Sequence, residues 1–298
     1  MTDSDDKGKK PVSRHPSWLK VRAPLGENVH NLKKILSRQG LNTVCQEARC
    51  PNMGECWRHG VATFMILGNI CTRGCKYCAV TKGKPLPLDK NEPSRVALAV
   101  EEMNLSHVVI TSVNRDDIED GGASVFADTV LEIRKRKPEC SVEVLVPDFK
   151  GCRKSLRIVM DVSPDIFNHN IETVPSLFPK ARGGGDYDLS LRVLESALEM
   201  NPEVITKSGL MLGLGEKDSE IRIVMEDLLS VGVRLLTLGQ YLRPAKWHLP
   251  VEKYYSPEEF KQWKKIGEDM GFGHVESAPL VRSSYMADKQ LKIIRGQL

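Results

Sequence analysis

From residue 62 onward, short apolar or β-branched runs alternate with stretches of helical periodicity, and this alternation restricts the fold more than any other feature. The runs at 62–67, 107–111, 142–146, 166–168, 204–211 and 235–239 predict strands. Stretches such as 95–103, 125–136, 189–200, 220–231 and 257–270 predict helices between and after them. Six βα units in a row predict an α/β chain with a parallel sheet, two units short of a closed eight-fold barrel. Apolar residues at 41% and charged residues at 28% are enough for a packed core. A short amphipathic helix is expected at 29–38, ahead of the first strand, and residues 1–22 read as a flexible arm.

In such sheets the loops leaving the C-terminal strand ends face one rim and build the site. The residues with chemistry gather there, at 71–78 after the first strand, 114–122 after the second, 169–172 after the fourth, 213–216 after the fifth and 240–243 after the sixth. The formal charge of +4 is spread over 43 basic and 39 acidic residues without a long basic block, so nucleic acid is not the expected partner. No apolar stretch approaches the length of a membrane span, and residues 1–10 lack the apolar core of a secretory signal. These features predict a cytoplasmic protein with no membrane association. In that reducing setting, eight cysteines with six of them clustered read as metal ligands rather than as a disulfide framework.

Cys71, Cys75 and Cys78 have the spacing C-x3-C-x2-C, which lets one loop present three thiolates. Structural zinc normally takes four protein ligands, and no fourth Cys or His follows at finger spacing. A 4Fe–4S cube held by three thiolates leaves one iron free to bind a small molecule. Cys45, Cys50 and Cys56 form a second triplet, C-x4-C-x5-C, also without a nearby fourth ligand. Two clusters explain two triplets; a zinc site completed from a distance is the alternative for the second. Cys140 and Cys152 stand apart and read as ordinary thiols. No nucleophile elbow, P-loop or H-E-x-x-H motif competes.

The Cys71–Cys75–Cys78 spacing after a first strand resembles the radical S-adenosylmethionine superfamily. With the second triplet and the C-terminal Arg282-Ser283-Ser284-Tyr285, the chain resembles the lipoyl synthase family. Further stretches similar to that family include Thr111-Ser112-Val113-Asn114-Arg115-Asp116-Asp117, Asp120-Gly121-Gly122-Ala123, Asn168-His169-Asn170-Ile171-Glu172-Thr173, Lys207-Ser208-Gly209 and Gly239-Gln240-Tyr241-Leu242-Arg243-Pro244. The likeness runs from Trp18 to Ala287.

The resemblance implies a partial open (βα)6 barrel at 61–275, with an N-terminal extension at 23–60 and a C-terminal segment at 276–298 that together carry an auxiliary cluster. It implies two 4Fe–4S clusters and S-adenosylmethionine as cofactors. The Cys71, Cys75, Cys78 cluster would cleave S-adenosylmethionine to a 5′-deoxyadenosyl radical. The cluster on Cys45, Cys50 and Cys56, completed by the hydroxyl of Ser284 or alternatively Ser283, would supply sulfur. The implied reaction is a sulfurtransferase one, in which two sulfur atoms enter C6 and C8 of an octanoyl chain on a lysine of a lipoyl carrier domain. The implied partners are 2-oxoacid dehydrogenase acyltransferase subunits, the glycine cleavage H protein and a reducing electron donor.

Tyr77, Gly121, Gly122, Asn170, Glu172 and Arg182 are the expected cofactor contacts. Gly185 stands where the family more often has Ala, which loosens the loop beside Arg182. His169 reads equally as a structural hydrogen-bonder or a general base. Other readings are a second radical enzyme with an auxiliary cluster, of methylthiotransferase type, a two-cluster electron carrier, and a zinc module.

Overall fold

The computed structural model describes residues 16–20, 27–47, 50–58 and 61–297. Most of the expected N-terminal arm lies outside these residues. Among the described residues there are ten strands: β1 Asn42–Thr43, β2 Thr63–Ile66, β3 Ile70–Cys71, β4 Thr81–Lys82, β5 His107–Ser112, β6 Ser141–Leu145, β7 Ile166–Asn168, β8 Ile205–Leu212, β9 Leu235–Gln240 and β10 His274–Ala278. Eight form one sheet in the order β1-β2-β5-β6-β7-β8-β9-β10, and β3 and β4 make a small parallel pair carrying the start of the cysteine loop. From β2 to β10 all neighbours are parallel, and β1 pairs antiparallel with β2. Successive strands are joined by helices such as Glu92–Glu102, Ala123–Arg136, Arg153–Asp161, Tyr187–Met200, Asp218–Ser230 and Pro257–Met270. The architecture is the expected partial barrel.

All six expected strands occur. They read as nearly continuous apolar runs because both sheet faces are covered; every residue of β2 and β9 is buried. The structure adds β10 as a seventh parallel strand. Its sequence, His-Val-Glu-Ser-Ala, buries the polar His274 and Ser277 and so carries little apolar signal.

The barrel floor is polar. Glu143 Oε1 accepts from Asn168 Nδ2 at 2.7 Å, and Glu143 Oε2 accepts from Lys207 Nζ at 3.0 Å, with both Glu143 and Lys207 fully buried. Burial pulls the Lys207 ammonium below its ordinary range, and Glu143 opposes that pull. Below this layer the helix Ala287–Ile294 brings Leu291 against Ile166, Ile205 and Leu235, the first residues of β7, β8 and β9. That helix plugs the bottom, and Arg295 pairs with Asp165 at 2.7 Å. No helix among the described residues is long and apolar enough to cross a membrane.

Candidate active site

The loop 71–78 leaves β3 and is tied down from three directions. The Thr72 amide donates to the Asn114 carbonyl (3.0 Å), the Lys76 amide donates to the Ala181 carbonyl (2.8 Å), and the Leu249 amide donates to the Lys76 carbonyl (3.0 Å). His248 Nε2 donates to the Cys78 carbonyl at 2.9 Å, and the Asn114 amide donates to Cys71 Sγ at 3.3 Å. The strongest tie is Arg73. Its guanidinium is gripped by two carboxylates: Asp116, at 2.8 and 2.9 Å, and Asp148, at 2.5 and 2.7 Å. Paired planar bonds of this kind are strong and directional. Arg73 is held well above the usual guanidinium range by these two carboxylates against the opposing effect of burial.

Asp148 lies at the exit of β6. Its backbone is followed by Phe149, Lys150 and Gly151, all with positive φ (45°, 51° and 75°). Strained backbone of this kind persists where surrounding contacts demand it. Here the turn aims Asp148 at Arg73, its Oδ1 accepting from the Lys150 amide at 2.9 Å.

The thiols of this loop sense one another. Burial pushes Cys75 up and Cys78 up to about 12, and the charges of neighbouring Cys71 and of Glu172 add to both. Protons must therefore leave when a metal group binds.

Opposite the loop, β7 runs into Asn168–Thr173. Glu172 has φ 72°, pinned by its amide to the Gly209 carbonyl (2.9 Å) and by its carbonyl to the Met211 amide (2.9 Å). Burial raises its carboxyl, and Arg182 opposes this. Asn170 Nδ2 donates to Ser283 Oγ at 2.7 Å and to Glu172 Oε1 at 3.3 Å, whereas Asn170 Oδ1 is buried without a partner. That orphan acceptor fits a ligand amine or hydroxyl. Tyr77 is half-buried close to Cys75 and Glu172, and burial holds its phenol well above its ordinary range.

The remaining expected contacts are engaged with protein. Arg182 donates to the Asn170 carbonyl at 2.9 Å and to Ser190 Oγ at 3.3 Å, so it braces Asn170. The Gly122 amide donates to Asp120 Oδ1 (2.8 Å) and the Gly121 amide to the Ile118 carbonyl (3.0 Å), which leaves neither free for a carboxylate. Both residues are in the left-handed region, and a Cβ at Gly122 would collide with Leu67. His169 is fully buried with Nδ1 on the Val146 carbonyl at 2.8 Å, and burial, then Arg182, lowers it to about 4. It is a structural residue.

A second centre lies where the N-terminal extension meets the C-terminal segment. Cys45, Cys50, Cys56, Arg282, Ser284 and Tyr285 line one small cavity. Asn52 Nδ2 donates to the Leu280 carbonyl at 2.5 Å and Tyr285 OH to Glu55 Oε1 at 3.3 Å, and these contacts fasten the C-terminal segment over the triplet. Burial pushes Cys45 up to about 11 and Cys56 up to about 12, with mutual repulsion among the thiols adding to it. Ser284 faces this cavity, whereas Ser283 is engaged by Asn170. Three soft sulfur donors and one hydroxyl around one cavity fit an iron–sulfur cluster. Among the described residues, no three His, Cys, Asp or Glu side chains are gathered closely enough to hold one metal ion. A cube binds its ligands through separate irons, so they need not converge on one ion. Cys140, buried, and Cys152, exposed at the start of helix Arg153–Asp161, lie apart from both centres.

Sequence reasoning missed Asp148 and His248, and missed what Arg73 does. Asp148 was open to inference, because it follows the third expected strand, at the rim where site residues collect.

A parallel partial barrel with three thiols in the loop after its first parallel strand defines the radical S-adenosylmethionine enzymes, and residues 65–228 match the model of the radical SAM superfamily. Residues 2–50 match the N-terminal domain of lipoyl synthase. Lipoyl synthase of Rubrobacter xylanophilus is 57% identical over 280 residues, covering 94% of this chain and 87% of that protein. Lipoyl synthase of Koribacter versatilis is 54% identical over 282 residues, covering 95% and 92%. The chain belongs to the lipoyl synthase family. With that membership come 4Fe–4S clusters and S-adenosylmethionine as cofactors. In fold it is also similar to methylornithine synthase, with a TM-score of 0.52 at 12% identity over 90% of this chain and 73% of the other.

Proposed function

We propose that this chain inserts two sulfur atoms at C6 and C8 of an octanoyl chain borne on a lysine of a lipoyl carrier domain. Cys71, Cys75 and Cys78 hold the cluster that receives S-adenosylmethionine, and Cys45, Cys50, Cys56 and Ser284 hold the auxiliary cluster. When bound, the first cluster with S-adenosylmethionine supplies a hydrogen-abstracting radical, and the second cluster supplies sulfur.

The chain's own residues position and seclude. Arg73, clamped by Asp116 and Asp148, fixes the cluster loop against the exits of β5 and β6. Asn170, Glu172 and Tyr77 face the cofactor: Asn170 offers its unpartnered Oδ1, Glu172 its carboxylate, and Tyr77 its ring and backbone. Arg182 holds Asn170, and Gly121 and Gly122 serve by close packing on Phe149 and Leu67. The buried floor and the helix Ala287–Ile294 close the lower end, so the substrate arm enters from the rim and the reacting carbons lie away from water.

The observation that carries this reading is the second cavity, where three thiols of the N-terminal extension and a serine of the C-terminal segment meet. An electron carrier has no use for a hydroxyl ligand that weakens its cluster. The carriers served are 2-oxoacid dehydrogenase acyltransferase subunits and the glycine cleavage H protein, with a reducing electron donor, in the cytoplasm.

The test is anaerobic incubation of the reconstituted chain with reductant, S-adenosylmethionine and an octanoylated lysyl peptide. The expected result is 5′-deoxyadenosine together with a peptide carrying two added sulfurs. In Ser284→Ala the sulfur-bearing product is lost. Deoxyadenosine without added sulfur from the unaltered chain points to a different radical enzyme; neither product points to a carrier.

A further inference from the structure

Among the lining residues of the second cavity, Arg282 is the one with a formal charge. Its guanidinium makes one hydrogen bond to protein among the described residues, Nη1 to the neighbouring Val281 carbonyl at 2.6 Å. No carboxylate among them pairs with it. Arg73 and Arg115 differ sharply in this respect: Arg73 grips two carboxylates, and Arg115 holds Asp117 at 2.9 Å. A guanidinium carries five N–H groups, so most of those on Arg282 are unspent. An unpaired cation in a cavity has an energetic cost that calls for a counter-charge.

The group is also fixed in place. Gly239, in β9, lies directly behind it, and a Cβ there would collide with the Val281 carbonyl and press on Arg282 Nη1 at 3.2 Å. Arg282 is half-buried and stands near enough to Cys50 for each to feel the other's charge. A cluster held by three thiolates is an anion, and sulfur atoms accept hydrogen bonds that tune its potential.

We propose that Arg282 is a positioning residue for the auxiliary cluster, its unspent N–H groups donating to the cluster's sulfur atoms and its charge offsetting the cluster's own. It thereby sets how firmly iron and sulfide are held before they are given up. This inference rests on the proposed function above.

The test uses the full chain with Cys71, Cys75 and Cys78 all changed to Ala, so that one cluster remains. Iron and sulfide per chain, reduction potential and the rate of iron release to a chelator are compared for Arg282, Arg282→Lys and Arg282→Met. Losing a charge-assisted hydrogen bond should speed release about tenfold in Arg282→Met. Its potential should move to a more negative value, because the reduced cluster loses a compensating cation. Arg282→Lys should keep the potential, while the missing fork still speeds release several-fold. The lysine variant carries the test if the methionine variant does not fold. Equal potentials and equal release rates across the folded variants overturn the proposal alone. A triple-alanine chain with Arg282 intact that takes up no iron overturns the proposed function and this inference together.

Discussion

At the scale of single residues, the cluster loop owes its shape to a cation between two anions. Asp148 is buried and bonds to Arg73 through both oxygens, whereas Asp117 is largely exposed where it meets Arg115. Asp148→Asn should therefore destabilise the chain by about 1.5–3 kcal/mol, the range for hydrogen bonds to charged groups, and slow cleavage of S-adenosylmethionine. Asp117→Asn should cost less, because Asp117 itself is exposed and Arg115 keeps its bonds to the Leu67 and Leu86 carbonyls. Thermal unfolding and deoxyadenosine formation check both, and equal losses would refute the clamp. The six clustered cysteines, Asn170, Glu172 and Ser284 were legible because motifs mark them. The contact of Asp148 with Arg73 was not, because the two lie 75 positions apart and the spacing of nearby residues does not reveal it.

At the scale of elements, β6, β7 and β8 are stapled by Glu143, Asn168 and Lys207. Removing one member leaves a buried charge without its partner. Lys207→Met or Glu143→Gln alone should cost about 3–5 kcal/mol. The double variant should cost less than the two single losses added together, since the residues share one contact. Denaturant midpoints measure this, and strict additivity would rule out the staple. Six strands were readable from apolar runs, with no end displaced by more than one residue. The strand β10 and the helix Ala287–Ile294 were not, since each is short and gains its place from tertiary burial rather than pattern.

For the whole molecule, acid is the sensitive direction. His107 is lowered to about 3, by burial first and then by Lys207 and Arg295 against Asp165, with Glu143 3.9 Å away. His169 is lowered to about 4, with Arg182, Arg73 and Asp148 around it. Both imidazoles stay neutral in the folded chain below their ordinary value near 6.5, while the unfolded chain takes up their protons. Stability is therefore complete above about 6.5 and falls as the pH drops toward 4, by about 1.4 kcal/mol per unit for each group. Unfolding midpoints of the iron-free chain at pH 7, 6 and 5 should fall in step, less steeply in His169→Asn. A midpoint constant from 7 to 5 would contradict this.

The bonds that seat the C-terminal segment on the cysteine-bearing N-terminal extension join residues 228 and 230 positions apart. A ribosome making this polypeptide exposes Cys45, Cys50 and Cys56 long before Ser284. The compartment for expendable sulfur is thus completed only after the loop for the first cluster is already made.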